Sequence, residues 1–258
     1  MQRDIAYGAD PEQKLDIYHP GTGGIAPLVV FLHGGGWTRG SKNVAGRVAP
    51  LLLRHGYAVA SLDYRLVPRT DPAGAVQDAA DGIGYLVNNA VPLGLDTSRL
   101  ALLGHSVGGH IAALLATDER YLRQACVEPG ILAAVITLDG LFDVPIQATD
   151  HPTPEMARLF GTDRAEWRLL SPAHLVGTMT INPAFCLAFG DVHRAFPKQA
   201  GSFEKALNLH KKRVQTLLVP GVAHMDMLKR FADPVLPIAG FLTECLEKEV
   251  IRKESASF

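Results

Sequence analysis

Short runs of consecutive apolar residues recur along the chain, and segments with helical spacing separate them. The apolar runs are residues 27–33, 56–64, 99–105, 132–140, 183–191 and 214–221. Apolar positions return at helical spacing in residues 74–90, 108–122, 202–213 and 234–250. Continuous apolar runs are typical of strands that are covered on both faces. The alternation therefore predicts an α/β fold, with a mostly parallel sheet and helices on both of its faces.

Two segments depart from this rhythm. Residues 14–20 alternate apolar and polar side chains, which indicates a half-buried strand that pairs with residues 3–7 in an N-terminal hairpin. Residues 141–180 are rich in proline and polar residues and lie between two predicted strands. We expect this segment to form a small lid or pocket wall at the carboxyl edge of the sheet. We interpret residues 1–258 as a single domain of this kind.

Composition and charge exclude several classes of protein. Hydrophobic residues make up 47% of the chain and charged residues 20%, which is typical of a folded core. The net charge of −1 gives no basic surface for nucleic acid. The apolar runs are shorter than the roughly 20 residues that a membrane span needs, so no membrane partner is expected. The segment "MQRDIAYGAD" lacks the apolar core of a secretory signal, which favours a cytoplasmic location.

The cysteines and histidines show no metal-binding pattern. Cys126, Cys186 and Cys245 are odd in number and widely spaced, so we expect reduced thiols rather than a disulfide framework. No pair of histidines has the spacing of a known metal motif. The sequence therefore predicts neither a metal nor a cofactor.

One serine follows a predicted strand inside a glycine-rich turn. Residues 104–108 read Gly-His-Ser-Val-Gly, a match to the pattern G-x-S-x-G. Small residues on both sides allow the sharp strand-to-helix turn that presents a serine hydroxyl above the sheet. The pattern alone is weak, because the chain holds 25 glycines and a plain glycine turn would read alike. Its place between a buried strand and a helix favours Ser106 as a nucleophile.

A second glycine-rich turn supports the first. Residues 33–37 read His-Gly-Gly-Gly-Trp and directly follow another predicted strand. Acyl transfer passes through a tetrahedral intermediate whose negative oxygen is best stabilised by fixed backbone N–H groups. We expect Gly34 and Gly35 to supply such groups, together with Val107, the residue after the nucleophile.

A serine nucleophile needs a base, and the base needs a carboxylate that orients it. Asp191 and His224 both follow predicted strands, and the chain order serine, aspartate, histidine is the one that this type of fold uses. We therefore predict Asp191 as the acid and His224 as the base. Asp63, Asp139 and Asp143 also lie near strand ends, where capping or loop anchoring suits them better. His193 is the alternative base near the predicted acid.

The two motifs, with "DYRLVP" at 63–68 and "SPAHLV" at 171–176, carry a resemblance to the small carboxylesterases of the α/β-hydrolase superfamily. The lineage it resembles includes acetyl-xylan and feruloyl esterases and the kynurenine formamidases. The likeness runs from about residue 15 to the histidine loop near residue 224. It implies the same roles for Ser106, Asp191 and His224. Relatives often place a Gln-Ser pair seven residues after the acid, whereas Gln199 here comes eight residues after Asp191.

The expected activity is hydrolysis of small carboxylic esters through an acyl-enzyme. The aromatic residues expected to line the substrate pocket are Trp37, Tyr64, Phe142 and Phe196. An aryl formamidase acting on N-formylkynurenine is the alternative, and a catalytically silent small-molecule receptor is a further one. The expected partner is a small ester or formamide, and the helices beside the sheet allow a homodimer.

Overall fold

The computed structural model describes residues 1–21, 23–150 and 154–251, and these residues contain one eight-stranded sheet. The strands are Gln2–Ala6 (β1), Lys14–Tyr18 (β2), Ala26–Leu32 (β3), Ala58–Leu62 (β4), Leu95–His105 (β5), Leu132–Leu138 (β6), Ala184–Gly190 (β7) and Val214–Val219 (β8). Their order is β1-β2-β4-β3-β5-β6-β7-β8. β2 is antiparallel to β1 and β4, and β3 to β8 run parallel to one another. The predicted hairpin and mostly parallel sheet are confirmed.

Helices cover the sheet and form most of its connections. They are Ala49–Arg54 (α1), Pro72–Asn88 (α2), Val107–Thr117 (α3), Arg120–Gln124 (α4), Val144–Asp150 (α5), Pro154–Phe160 (α6), Arg164–Leu169 (α7), Pro172–Leu175 (α8), Ala195–Leu209 (α9), His224–Lys229 (α10) and Ile238–Ile251 (α11). Short 3-10 helices span Lys42–Arg47, Pro129–Ile131 and Val176–Thr178. The segment predicted as one helix at 108–122 divides into α3 and α4 at Asp118, whose backbone is not helical. No described helix is long and apolar enough to cross a membrane.

The strands β3, β4, β6 and β7 are buried on both faces, as their continuous apolar runs predict, whereas the edge strand β8 is mostly exposed. In β3, Leu28, Val30 and Leu32 belong to the core on one side, and Val29 and Phe31 belong to the core on the other. This alternation follows from the period of two along a strand. α2, α3 and α9 pack on the first side, and α1 and α11 pack on the second. Because all of α3 is buried, the helix that follows Ser106 is held firmly against the sheet.

The segment 141–180 leaves the sheet after β6 and returns at β7 through the short helices α5 to α8. The Gln199 side chain of α9 anchors its start. The Gln199 amide oxygen accepts hydrogen bonds from the N–H groups of Phe142 and Asp143, at 2.8 and 2.7 Å. The His110 ring of α3 lies 2.8 Å from the carbonyl oxygen of Leu170 and fixes its far end. The described part of the segment is therefore held against α3 and α9.

The cysteines differ from the prediction. Cys186 of β7 and Cys245 of α11 form a buried disulfide across 59 residues of sequence, whereas Cys126 is a free, exposed thiol. The expectation of three reduced thiols is therefore wrong for two of them. α11 packs against β7, so the fold brings together two cysteines that show no pairing pattern in the sequence. Stable disulfides are rare in the cytosol, so this pair does not support the cytoplasmic location expected from the sequence.

Candidate active site

Ser106 occupies the sharp turn between β5 and α3. Its backbone has φ 57° and ψ −120°, a conformation that non-glycine residues rarely adopt. Its N–H donates to the carbonyl oxygen of Leu138, at 2.9 Å. A side chain at Gly108 would collide with the carbonyl oxygen of Leu32 in β3. Only glycine at position 108 lets α3 start this close to the sheet, and this packing holds Ser106 in its strained turn.

His224 bridges Ser106 and a carboxylate. It is the first residue of α10, and its Nε2 atom lies 3.1 Å from Oγ of Ser106. Its Nδ1 atom lies 3.0 Å from Oδ2 of Asp139. A carboxylate only accepts hydrogen bonds, so the Nδ1–H group donates to Asp139 and leaves Nε2 free to accept the serine proton. This is the tautomer that a general base needs.

Asp139, which follows β6, is fully buried beneath this histidine. The second oxygen of its carboxylate accepts a hydrogen bond from the N–H of Gly190, at 2.9 Å. Its own N–H donates to the carbonyl oxygen of Ala188, also at 2.9 Å. Both carboxylate oxygens are therefore satisfied, one by the histidine and one by the end of β7. The carboxylate is fixed in position before any substrate binds.

Asp191 does not contact His224, which corrects the prediction that it is the acid beside this histidine. It is exposed, and its carboxylate accepts a hydrogen bond from the N–H of Gly221 at 2.7 Å. Gly221 lies in the loop that connects β8 to His224. The His224 ring reaches past β7 to contact Asp139 at the end of β6 and Ser106 at the end of β5. Asp191 holds the base of this loop, while the histidine ring lies above the end of β6. Asp139 is therefore the carboxylate within reach.

Two rings enclose the imidazole of His224. Phe196 stacks on one of its faces with 4.4 Å between ring centroids, and His105 stacks on it with 4.6 Å. Nε2 of His105 lies 3.1 Å from the carbonyl oxygen of His224, so the Nε2–H group donates to it. Burial lowers the pKa of His105 to about 4, with the charge of His224 as a second cause. His105 therefore stays neutral near pH 7 and supports the ring without competing for the proton.

The other sequence candidates lie elsewhere. His193 is exposed and contacts Phe196 edge-on, with 6.4 Å between ring centroids. Asp63 accepts a hydrogen bond from the N–H of Lys42, and burial raises the pKa of its carboxyl. Asp143 accepts hydrogen bonds from the hydroxyl of Ser202 and the N–H of Ile146. Asp63 and Asp143 have the anchoring roles expected of them, whereas for Asp139 that expectation is wrong.

The glycine turn after β3 lies directly against the nucleophile. A Cβ atom built on Gly34 would be 3.0 Å from Cβ of Ser106. Within the described chain, the N–H groups of Gly34, Gly35 and Val107 donate to no protein acceptor. Gly35 and Val107 also line the cavity that holds Ser106. The three predicted oxyanion residues thus lie against Ser106 or in the lining of the same cavity.

A cavity of about 860 Å³ opens above Ser106 and His224. Trp37 and Phe196 line it, as do Leu141, Met156 and Leu159 from the segment 141–180. Tyr64 and Phe142 lie outside the lining, and their predicted place in the pocket is corrected. The Tyr64 ring is buried and stacks on His33, with 4.3 Å between ring centroids. The Phe142 ring is buried against Phe203 at 4.7 Å.

The sheet order and the strained serine turn define the chain as an α/β-hydrolase. The crystal structure of esterase B from Lactobacillus rhamnosis has the same fold, with a TM-score of 0.86 over 99% of this chain and 87% of that chain, at 23% identity. Within this class, the chain belongs to the BD-FAE family, whose model matches residues 15–207.

Two named relatives show where the chain stands within the class. It is 40% identical over 246 residues to the isoprenylcysteine alpha-carbonyl methylesterase ICME of Arabidopsis thaliana, and this alignment covers 88% of this chain and 57% of the relative. It is 29% identical over 238 residues to a kynurenine formamidase of Salmo salar, which covers 89% of this chain and 76% of the relative. The chain thus spans less than two thirds of the length of that methylesterase.

Proposed function

We propose that the protein hydrolyses carboxylic esters through an acyl-enzyme, with Ser106 as nucleophile, His224 as base and Asp139 as acid. One observation carries the proposal: the His224 ring lies within hydrogen-bond distance of both Ser106 Oγ and the buried carboxylate of Asp139. Relatives named as esterases support the reaction type, among them ICME and the esterase LipC of Mycobacterium tuberculosis. The proposed acid, Asp139, directly follows β6.

The first half of the reaction transfers the acyl group to the enzyme. Nε2 of His224 takes the hydroxyl proton of Ser106 while Oγ of Ser106 attacks the acyl carbon. The π electrons of the ester carbonyl move to the carbonyl oxygen, which becomes the oxyanion. Asp139 stabilises the imidazolium that forms. As the tetrahedral intermediate collapses, the carbon–oxygen bond to the alcohol breaks, and the alcohol leaves with the proton from Nε2.

The second half of the reaction releases the acid. A water molecule gives a proton to Nε2 of His224 and attacks the acyl-enzyme carbon. The bond to Oγ then breaks, and Ser106 recovers the proton from His224. The N–H groups of Gly34, Gly35 and Val107 bind the oxyanion in both halves of the proposed reaction. Donors of this kind typically contribute a factor of about 10²–10³ each to kcat.

Replacement of the nucleophile tests the proposal. Ser106→Ala is expected to abolish hydrolysis of a short-chain p-nitrophenyl ester and labelling by a fluorophosphonate probe, while circular dichroism shows a folded protein. Ser202→Ala is the matched control, because Ser202 lies on α9 and its hydroxyl bonds to Asp143 instead of His224. Undiminished turnover by Ser106→Ala would refute the proposal. A folded wild-type protein that neither labels nor hydrolyses esters would indicate a receptor instead.

Formamide hydrolysis is the second candidate, because the same side chains can attack a formamide carbonyl. The kynurenine formamidase relative and the sequence His33-Gly-Gly-Gly-Trp37 favour it. The two candidates are separated by kcat/KM for N-formylkynurenine against that for an acetyl ester on the same preparation. If N-formylkynurenine is hydrolysed only at the background rate, the esterase proposal stands. If its kcat/KM exceeds that of the acetyl ester, the protein is a formamidase instead.

A further inference from the structure

The charged side chains around the cavity are unevenly balanced. Arg39, Arg194 and Lys198 line it, and Asp150 is the acidic residue among its lining. Asp150 is already paired with Lys198, at 2.7 Å. The described residues provide no acidic partner within ion-pair distance of Arg39 or Arg194. Among the residues that the structure describes, the cavity therefore presents two arginines without a balancing carboxylate.

This excess of positive charge is local. The whole chain carries 25 basic and 26 acidic residues, so the arginines do not reflect a generally basic surface. Elsewhere in the described chain, arginines often have partners: Arg65 pairs with Asp78 at 2.6 Å and Arg120 with Asp118 at 2.7 Å. An unbalanced pair of arginines beside a nucleophile attracts an anionic ligand, because clefts lined by one sign of charge raise the local concentration of the opposite sign.

The two arginines flank the nucleophile from opposite sides. Arg39 follows β3 and Arg194 follows β7, while Ser106 follows β5 between them in the sheet. The Arg39 backbone is held by the glycine turn after β3, because its N–H donates to the carbonyl oxygen of Gly35 at 3.2 Å. Arg194 lies two residues before Phe196, the ring that stacks on His224. Both backbones are thus tied to parts of the proposed catalytic machinery.

We infer that the ester hydrolysed at this site carries a carboxylate group, which Arg39 and Arg194 recognise. This inference rests on the proposed esterase activity and narrows its substrate class. Arginine suits this task, because its planar guanidinium matches a carboxylate with two parallel hydrogen bonds. Both side chains are exposed, so each is expected to favour an anionic substrate by a factor of up to about five.

The test compares esters of matched size that carry or lack a carboxylate. In the first pair, 4-acetoxybenzoate has the carboxylate on its leaving group and 4-acetoxybenzamide is neutral. In the second pair, monophenyl adipate has the carboxylate on its acyl group and phenyl hexanoate is neutral. We expect the anionic member of at least one pair to have a kcat/KM about fivefold higher or more. The preference should shrink as salt is raised, because salt screens exposed charges.

Variants connect the preference to the two arginines. The double variant Arg39→Gln/Arg194→Gln is expected to bring the ratio of anionic to neutral kcat/KM close to one. Arg54→Gln is the matched control, because Arg54 is exposed on α1, outside the cavity lining, and should keep the wild-type ratio. A wild-type ratio of one or less for both pairs would overturn the inference, as would a ratio that survives the double variant. Failure of the proposed function is distinct, because the neutral esters would then show no Ser106-dependent hydrolysis.

Discussion

The loops after β6 and β7 each begin with an aspartate, yet the two carboxylates have opposite surroundings. Asp139 after β6 is fully buried and contacts His224, whereas Asp191 after β7 is exposed and contacts the backbone of Gly221. The helix α9, which follows the β7 loop, begins with Ala195 and Phe196, and the Phe196 ring stacks on the histidine. A carboxylate at a strand end is therefore not sufficient to orient the histidine. The path of the histidine loop across the sheet decides which carboxylate can orient the base.

The largest expected effect follows from replacing the buried carboxylate. Asp139→Asn should lower kcat by a factor of about 10³–10⁴, the cost of losing the carboxylate of a serine triad. The amide can donate to Nδ1 of His224 and so favour the tautomer whose Nε2 cannot accept the serine proton. Steady-state kinetics with a p-nitrophenyl ester measures this, and circular dichroism shows that the variant is folded. A loss below tenfold would mean that Asp139 is not the acid.

The pH of these assays matters, because three buried histidines make the protein less stable in acid. Burial lowers the pKa of His33, His105 and His110 to about 4, against an ordinary value of 6.5. Between these values the unfolded chain binds protons that the folded chain does not. The free energy of unfolding should therefore fall as the pH drops from 6.5 towards 4, by up to about 1.4 kcal/mol per pH unit for each histidine.

Urea denaturation from pH 7 to pH 5 measures that slope. His110→Asn is expected to reduce it by about one histidine's share. A flat profile in the wild-type protein would show that the buried histidines take up protons without unfolding. The carboxylate variants are best compared above pH 6.5, where this loss is absent.

A third, smaller effect is expected from Phe196, the aromatic ring at the start of α9. Phe196→Ala removes the stacking partner of His224 and should lower kcat by about threefold to tenfold, the usual contribution of an aromatic pair. Phe241→Ala serves as the control, because it removes a half-buried ring from α11, far from the cavity lining. Equal losses in both variants would indicate a general loss of stability instead of a loss of histidine positioning.

The smallest effect is expected for the exposed carboxylate. Asp191→Asn should change kcat by less than about threefold, since the amide oxygen can still accept the hydrogen bond from the N–H of Gly221. The same p-nitrophenyl ester assay measures it beside the Asp139 variant. A loss comparable to that of Asp139→Asn would reverse the comparison between the two loops.

The sequence predicts the sheet and two members of the proposed triad, because these depend on local patterns. Continuous apolar runs identify β3 to β8, and the glycines around Ser106 identify its turn. His224 follows the last strand, where one histidine stands out. Choosing between Asp139 and Asp191 requires the course of the loop after β8, which no local pattern reveals. The signal for Asp139 was its place directly after a fully buried strand, and the same signal marks Asp191.

Long-range packing explains the other errors. Cys186 and Cys245 are paired because α11 packs against β7, and residue spacing carries no trace of that contact. Tyr64 and Phe142 are large aromatic residues near the motifs, but both point into the core. Apolar character alone cannot separate a core ring from a cavity ring. The cavity ring of Trp37 was predictable because it belongs to the glycine turn itself.

In the proposed triad Asp139, and not Asp191, accepts the hydrogen bond from the Nδ1–H of His224. Proton NMR of histidine-labelled protein observes this directly, because a proton shared between an imidazole and a carboxylate resonates far downfield of other N–H protons. We predict such a resonance in the wild-type protein and in Asp191→Asn, and its loss in folded Asp139→Asn. A resonance that persists in Asp139→Asn and disappears in Asp191→Asn would show that Asp191, and not Asp139, orients His224.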